Sequence, residues 1–109
     1  MEILVIDQSN DDATKRICLE YKSSIIRYYK NTKGGKAISL NLGIRYSKGT
    51  VIAFIDDDEK LPDHWIERTL DILDTRSPDI FGGPYYPYYS NGKPKWCKDK
   101  YLIQTLGWN

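Results

Sequence analysis

A short apolar run that ends in three consecutive carboxylates constrains this chain more than any other feature. Residues 51–55 are mostly β-branched or aromatic, and Asp56, Asp57 and Asp58 follow at once. Such a run is typical of a strand buried on both faces, as in parallel sheets covered by helices. In open α/β sheets, ligands bind at the carboxyl ends of the strands. The pattern therefore predicts a strand that ends in a ligand or metal site; the alternative is a solvated acidic turn that caps the next helix.

The rest of the chain alternates predicted strands with predicted helices. A cap at Asp11 or Asp12 indicates where the first helix begins, and Pro62 opens the third. Strands are predicted over residues 2–7, 25–29 and 51–55. Helices are predicted over residues 14–22 and 36–47 and from Pro62 onward. Apolar spacings of three or four predict the inward helix faces, which comprise Ala13, Ile17, Tyr21, Ala37, Leu40, Ile44, Ile66, Leu70 and Leu73. This β-α-β-α-β-α order predicts an α/β fold with a mainly parallel sheet and helices on both faces.

The sequence changes character after Pro78. A short strand is predicted over residues 79–83, and the Asn91-Gly92 pair predicts a hairpin turn. Five aromatic residues lie between positions 85 and 96 and are interrupted by prolines. Such a segment suits stacking on sugar rings or bases, or it forms an aromatic hinge that packs on the sheet.

Composition excludes several classes of function. The chain has 109 residues, with 16 Lys and Arg against 15 Asp and Glu, so its net charge of +1 argues against a nonspecific nucleic-acid binder. Its longest apolar runs are far shorter than the roughly 20 residues of a membrane span. Cys18 and Cys97 lack the spacing of a zinc site or a disulfide framework. We expect one small domain or part of a larger one, in the cytoplasm or peripheral at the inner face of the membrane.

Two sequence blocks together resemble the family 2 glycosyltransferases, which are inverting enzymes with a GT-A, Rossmann-like fold. The first block, EILVIDQSNDDAT, resembles that family's second strand and its acidic-turn motif. The second, KGGKAISLNLGIRYSKGTVIAFIDDDEKLPDHW, resembles a helix with an Asn-x-Gly-Ile signature followed by a D-x-D motif. The resemblance implies that residues 1–109 form the nucleotide-sugar-binding part of an incomplete GT-A domain, without the first strand and the C-terminal acceptor half.

The resemblance also implies an activity. The protein would transfer a sugar from a nucleoside-diphosphate donor to a saccharide or lipid-linked acceptor, with inversion, in cell-surface polysaccharide biosynthesis. A nucleoside-diphosphate leaving group develops negative charge, which a divalent ion held by carboxylates neutralises. Hard oxygen ligands favour Mg²⁺ or Mn²⁺. By resemblance, Asp58 and Asp56 are the metal ligands.

Further roles are implied for individual residues. The expected donor nucleotide-binding residues are Asp7, Gln8, Lys36, Asp56 and Asp57. Gln8 stands where family members often have an Asp that contacts the base, and an amide can also donate and accept toward a pyrimidine edge. Lys36 follows a Gly-Gly loop at a helix start, which favours anions, although that loop could equally be a solvated connection. Tyr86 and Trp96 are the acceptor-side candidates.

No general base is assigned. We expect it to lie outside these residues, and we expect the 109-residue chain alone to bind donor weakly and to transfer little sugar. Two alternatives remain open at this point. One is a phosphoacceptor receiver domain in which Asp56 accepts phosphate, and the other is a noncatalytic nucleotide-binding fragment.

Overall fold

The computed structural model describes residues 1–84 and 86–98. The chain divides into two compact units, Met1–Lys60 and Leu61–Asn109. The first unit contains β1 (Ile3–Asp7), α1 (Ala13–Glu20), β2 (Ile26–Lys30) and α2 (Lys36–Tyr46). The second unit contains α3 (Trp65–Arg76). None of the helices in the described part of the chain is long and apolar enough to cross a membrane.

The first two predicted strands pair in parallel, as the sequence predicted. Ile3 lies opposite Ile26 at one end of the ladder, and Asp7 lies opposite Lys30 at the other. The backbone N–H of Asn31 donates to the carbonyl of Asp7 at 2.8 Å, which extends the pairing beyond the strand ends. The β1-α1-β2 unit is therefore a parallel crossover, and both strands finish at the same edge of the sheet.

Helix α2 packs on β1 and is fixed to β2 at its far end. At Gly43 the helix approaches β1 so closely that an added Cβ would lie 3.8 Å from Cγ1 of Ile6. The rings of Tyr29 and Tyr46 stack with centroids 4.4 Å apart. Arg27 on β2 donates to the Tyr46 carbonyl at 3.0 Å. These contacts fix the C-terminal half of α2 against β1 and β2.

The prediction of a third strand over residues 51–55 is wrong for this structure, because the segment is irregular. Its apolar residues Val51, Ile52, Phe54 and Ile55 are 40 to 56% exposed. An apolar run becomes a strand only when its backbone groups find a neighbour, and no strand within residues 1–84 and 86–98 pairs with this one.

Polar contacts nevertheless hold the residues on both sides of this segment. The backbone N–H of Lys48 donates to Oε1 of Glu2 at 2.5 Å, beside the start of β1. After the segment, Asp56 pairs with Lys36 at the start of α2. The acidic turn is thus held near the end of the sheet although the strand that was expected to carry it is not formed.

In the second unit, α3 begins at Trp65, whose backbone N–H bonds the carbonyl of Pro62 at 3.2 Å. No strand forms over residues 79–83, so that prediction is also wrong. The Asn91-Gly92 pair does form a turn, with Gly92 at φ 81° and its N–H 3.4 Å from the Tyr89 carbonyl. No strands flank the turn among the described residues, so it is not a hairpin there.

The predicted inward faces of the helices are only partly correct. Ala13, Leu40 and Leu73 are half-buried as expected. Six other predicted inward residues are exposed: Ile17, Tyr21, Ala37, Ile44, Ile66 and Leu70. Within the first unit, a two-stranded sheet is too narrow to cover a full stripe on α1 and α2.

Burial within the described residues is confined to polar side chains. No apolar side chain is fully buried there, and the three buried residues are Asp7, Asn31 and Ser39. All three lie where β1 and β2 end and α2 begins. Within the described residues, the most deeply buried side chains therefore form a polar cluster of Asp7, Asn31 and Ser39 rather than an apolar core.

Candidate active site

Asp7 is the centre of this polar cluster. It is 7% exposed and accepts hydrogen bonds from the Tyr28 hydroxyl at 2.7 Å, the Ser9 backbone N–H at 2.8 Å and Lys30 Nζ at 3.1 Å. Burial alone raises the pKa of the Asp7 carboxyl, but the hydrogen bonds from Tyr28, Ser9 and Lys30 outweigh it and hold the pKa well below its ordinary 3.8. Asp7 is therefore a fixed, ionised acceptor.

The side chains that donate to Asp7 have further interactions of their own. Burial, and then the hydrogen bond to Asp7, raise the pKa of Tyr28 to about 12, so the hydroxyl keeps its proton. Lys30 also donates to the Asp11 carbonyl at 2.7 Å and to Ser9 Oγ at 3.3 Å. The lysine joins the end of β2 to the loop that follows β1, and this loop is closed further by Asp11, which accepts from the Ala13 N–H at 3.0 Å.

A second network connects the same edge to α2. Ser39 Oγ accepts from Gln8 Nε2 at 2.6 Å and from Asn31 Nδ2 at 2.9 Å. The two amide oxygens point toward the Gly-Gly loop, where Gln8 Oε1 accepts from the Gly35 N–H at 3.1 Å and Asn31 Oδ1 from the Lys33 N–H at 3.1 Å. The loop before α2 is therefore held by side-chain hydrogen bonds, while Lys33, Gly35 and Lys36 remain exposed to solvent.

Lys36, the first residue of α2, reaches the acidic turn. Its Nζ lies 2.6 Å from Oδ2 of Asp56, and both side chains are largely exposed. The hydrogen bond and charge of Asp56, with smaller effects from Asp58 and Glu59, raise the pKa of Lys36. The contact brings together two predicted site residues that are 20 positions apart.

The three adjacent carboxylates form a turn. The Asp56 N–H donates to Oε2 of Glu59 at 3.1 Å, and the Glu59 N–H donates to the Asp56 carbonyl at 3.2 Å. Asp57 and Asp58 lie at the centre of this turn and are exposed. The acidic turn proposed as an alternative is thus present, although it does not cap α3, which begins only at Trp65.

The donor set of this turn fits one kind of metal site. Within residues 1–84 and 86–98, no three His, Cys, Asp or Glu side chains converge closely enough to hold a metal ion. Mg²⁺, however, is commonly held by one or two carboxylates, with water and substrate phosphates completing its shell. Asp56 and Asp58 are hard oxygen donors two residues apart in an exposed turn, and they fit such a shared site.

The acceptor-side candidates lie in the second unit. Tyr86 is 84% exposed and Trp96 is 80% exposed. Each presents a ring face to solvent, which stacking on a sugar would require. Nearby, the Tyr89 hydroxyl and the Cys97 thiol lie 3.3 Å apart.

Sequence reasoning missed four residues that bond Asp7 or Gln8 or complete their network, namely Tyr28, Lys30, Asn31 and Ser39. The sequence did carry a signal for two of these residues, Tyr28 and Lys30. Alternate residues of a strand share a face, so Tyr28 and Lys30 lie together, and parallel pairing with β1 puts Lys30 opposite Asp7. Asn31 and Ser39 carried no such signal, because their contact depends on how α2 packs.

Comparison with known proteins decides the family. The sequence model described as glycosyl transferase family 2 matches residues 1–108. The chain belongs to glycosyl transferase family 2. Membership in this family decides against the receiver-domain alternative. The parallel pair β1 and β2, with α1 and α2 packed on it, is consistent with part of the GT-A, Rossmann-like fold that the sequence predicted.

Several curated relatives of this family 2 chain are considerably longer. Glycosyltransferase AglE of Haloferax volcanii is 29% identical over 84% of this chain and 31% of its own length. Glycosyltransferase GlyG of Streptococcus pneumoniae is 29% identical over 97% of this chain and 39% of its own length. The minor teichoic acid biosynthesis protein GgaB of Bacillus subtilis is 26% identical over 73% of this chain and 9% of its own length. No solved structure matches this family 2 chain significantly.

Proposed function

We propose that the protein is a glycosyltransferase that transfers a sugar from a nucleoside-diphosphate donor with inversion. The observation that carries the proposal is the contact of Lys36 with Asp56, which joins the start of α2 to the acidic turn at 2.6 Å. Both groups lie in the first unit, at the edge where β1 ends in Asp7. In open α/β sheets this edge is the usual place for a nucleotide.

The chemistry requires positive charge where the glycosidic bond to phosphate breaks. The leaving diphosphate gains negative charge as that bond breaks, and Lys36 together with the N-terminal N–H groups of α2 supplies positive charge. A divalent ion held by Asp58 and Asp56 would neutralise part of the same charge when bound. In this proposal Lys36 would bind the diphosphate, and Asp56, with Asp58, would hold the ion.

The remaining assignments follow the family resemblance. Asp7 and Asp57 are proposed as further contacts of the donor nucleotide, and Mg²⁺ or Mn²⁺ as the ion. Tyr86 and Trp96 are proposed to stack against a saccharide or lipid-linked acceptor. The general base is not assigned to any residue of this chain.

The biological setting is also a proposal. The name of GgaB refers to teichoic acid biosynthesis, which supports a role in making a cell-surface polysaccharide. The free thiols of Cys18 and Cys97 suit a reducing compartment. We place the protein in the cytoplasm or at the inner face of the membrane.

Calorimetry with uridine diphosphate, in Mn²⁺ and then in EDTA, tests the donor and metal assignments. We expect tighter binding with Mn²⁺, and we expect Asp58→Asn to weaken it more than Asp63→Asn, a carboxylate outside the turn. Lys36→Ala should weaken binding by about tenfold, as expected for the loss of one charge-assisted hydrogen bond. Lys15→Ala, an exposed lysine on α1, is the matched control. Equal affinity in both conditions would remove the metal role.

Transfer itself needs a separate assay. Release of uridine diphosphate from uridine-diphosphate sugars, with and without saccharide acceptors, should be measured for the 109-residue chain and for any longer protein that contains it. We expect weak transfer by the chain alone and inverted product from the longer protein. Binding without transfer by both would favour the noncatalytic nucleotide-binding alternative.

A further inference from the structure

Gln8 is exposed, yet both ends of its side-chain amide bond other residues of the protein. Its Nε2 donates to Ser39 Oγ at 2.6 Å and its Oε1 accepts from the Gly35 N–H at 3.1 Å. A side chain engaged in this way is poorly placed to read a nucleotide base. The contacts connect the end of β1 to the loop and the first turn of α2.

The loop that Gln8 holds has a backbone shape that requires glycine. Gly34 has φ 68° and Gly35 has φ 88°, in the left-handed region. Asn31 fixes the other side of the loop by accepting from the Lys33 N–H, and it also donates to Ser39. Ser39 Oγ is therefore a shared acceptor, and the two amides hold the loop from both sides.

This arrangement determines which N–H groups at the start of α2 stay free. Gly35 caps the helix, and no side-chain cap is present at that position. Gln8 occupies the Gly35 N–H, and the first helical bond runs from the Ser39 N–H to the Gly35 carbonyl at 3.1 Å. The N–H groups of Lys36, Ala37 and Ile38 have no intrahelical partner at a helix start and are the ones that an anion can use.

We propose that Gln8 is a positioning residue that, through Ser39 and the Gly35 N–H, orients the start of α2 and Lys36 toward the donor diphosphate. The inference rests on the proposed function and deepens it. The amide makes both contacts at once without bringing charge to the loop, because it donates through Nε2 and accepts through Oε1. Glutamine at this place therefore holds the phosphate-binding loop, and the base is contacted elsewhere.

Binding of uridine diphosphate and of uridine to the complete 109-residue chain tests this role. Gln8→Met keeps the length of the side chain and adds no charge, but it removes both the donor to Ser39 and the acceptor for the Gly35 N–H. We expect uridine diphosphate to bind about 5- to 30-fold more weakly to this variant, the range for losing such a hydrogen bond, while uridine affinity stays unchanged. Asn91→Leu makes a similar amide-to-apolar exchange in an exposed turn and should change neither affinity.

A second variant and a second measurement separate positioning from general damage. Ser39→Ala removes the acceptor shared by Gln8 and Asn31 and should show the same selective loss. In both variants the Gly35 N–H should exchange with solvent faster than in the parent, while the N–H of Val5 in β1 keeps its protection. An equal loss of uridine and uridine diphosphate affinity in Gln8→Met would overturn the proposal and return Gln8 to base contact.

The outcomes distinguish this proposal from the function on which it rests. A parent chain that binds neither uridine diphosphate nor any other nucleoside diphosphate would overturn both. A parent that binds one of them, with a Gln8→Met variant that binds it equally well, would overturn the positioning role alone. Unchanged exchange of the Gly35 N–H in both variants would likewise show that the network does not hold the loop.

Discussion

Two regions of the chain share one sequence pattern, an apolar run that ends in Asp, and fold differently. The run that ends in Asp7 is a paired strand, and its carboxylate is buried with three hydrogen-bond donors. The run that ends in Asp56 is irregular, and its carboxylate is half exposed with a single cation beside it. The comparison teaches that the pattern specifies a strand only where a neighbour completes it.

The difference has a functional counterpart. A buried, fully bonded carboxylate such as Asp7 holds the sheet edge in one arrangement. An exposed carboxylate in a turn, such as Asp56, keeps lone pairs for an ion or a ligand. The region around Asp7 is therefore suited to hold the site rigid. In the proposed function, the region around Asp56 supplies the exposed negative charge that binds an ion.

The largest test of the comparison is removal of the charge from each region. Asp7→Asn should lower the free energy of unfolding by about 2 kcal/mol, because Tyr28 and Lys30 lose a buried ionised acceptor. Asp57→Asn, in the exposed turn, should change it by less than about 0.5 kcal/mol. Urea denaturation of the two variants measures both values. Equal losses would break the distinction between the two carboxylates.

The next largest difference between the two regions should appear in the pH dependence of the free energy of unfolding. The pKa of Asp7 is lowered on folding, so its contribution is complete above the unfolded value of about 3.8 and is lost as pH falls toward the folded value. Between pH 5 and pH 3 this loss should reach about 1 kcal/mol. Asp7→Asn should lack that part of the acid dependence, and Asp57→Asn should retain it. A parallel decline in both variants would contradict the assignment.

The sequence predicted the first unit well where contacts are local or adjacent. The strand ending in Asp7, the strand opposite it and α2 were foreseen because periodicity and capping report them directly. The strand over residues 51–55 was not correctly predicted, because an apolar run does not reveal whether a partner strand is present. The predictions that Ile17 and Ile44 face inward failed for a related reason, since the sheet has two strands within the part of the chain that the structure describes.

The sequence predicted the charged residues of the candidate site but not the contacts of its amide side chains. The resemblance and the chemistry drew attention to Lys36 and Asp56, which the structure brings together. The engagement of Gln8 was unforeseen, because its contacts with Ser39 and Gly35 span 31 and 27 positions and depend on tertiary packing. Hydrogen-bond networks of this kind leave no periodic signal in the sequence.

Removal of the ion pair sharpens the comparison at a smaller scale. Asp56→Asn should change the free energy of unfolding by less than about 1 kcal/mol, because its pair with Lys36 is solvent-exposed. The same variant should weaken uridine diphosphate binding in Mn²⁺, whereas Asp63→Asn should affect neither property. Urea denaturation and calorimetry on each variant provide the two readings. A large loss of stability in Asp56→Asn would show that the acidic turn has a structural role like that of Asp7.

The smallest expected effect lies in the apolar run itself. Phe54 is 56% exposed in the irregular segment, so Phe54→Ser in the 109-residue chain should change the free energy of unfolding by no more than about 0.5 kcal/mol. Ile6 lies on β1 next to Gly43 of α2, and Ile6→Ser should cost more than about 1 kcal/mol, because it removes packed apolar surface. The two variants make similar apolar-to-polar changes in the two regions. If urea denaturation gave them equal costs, residues 51–55 would be packed in solution, and the contrast between a completed and an uncompleted strand would not hold.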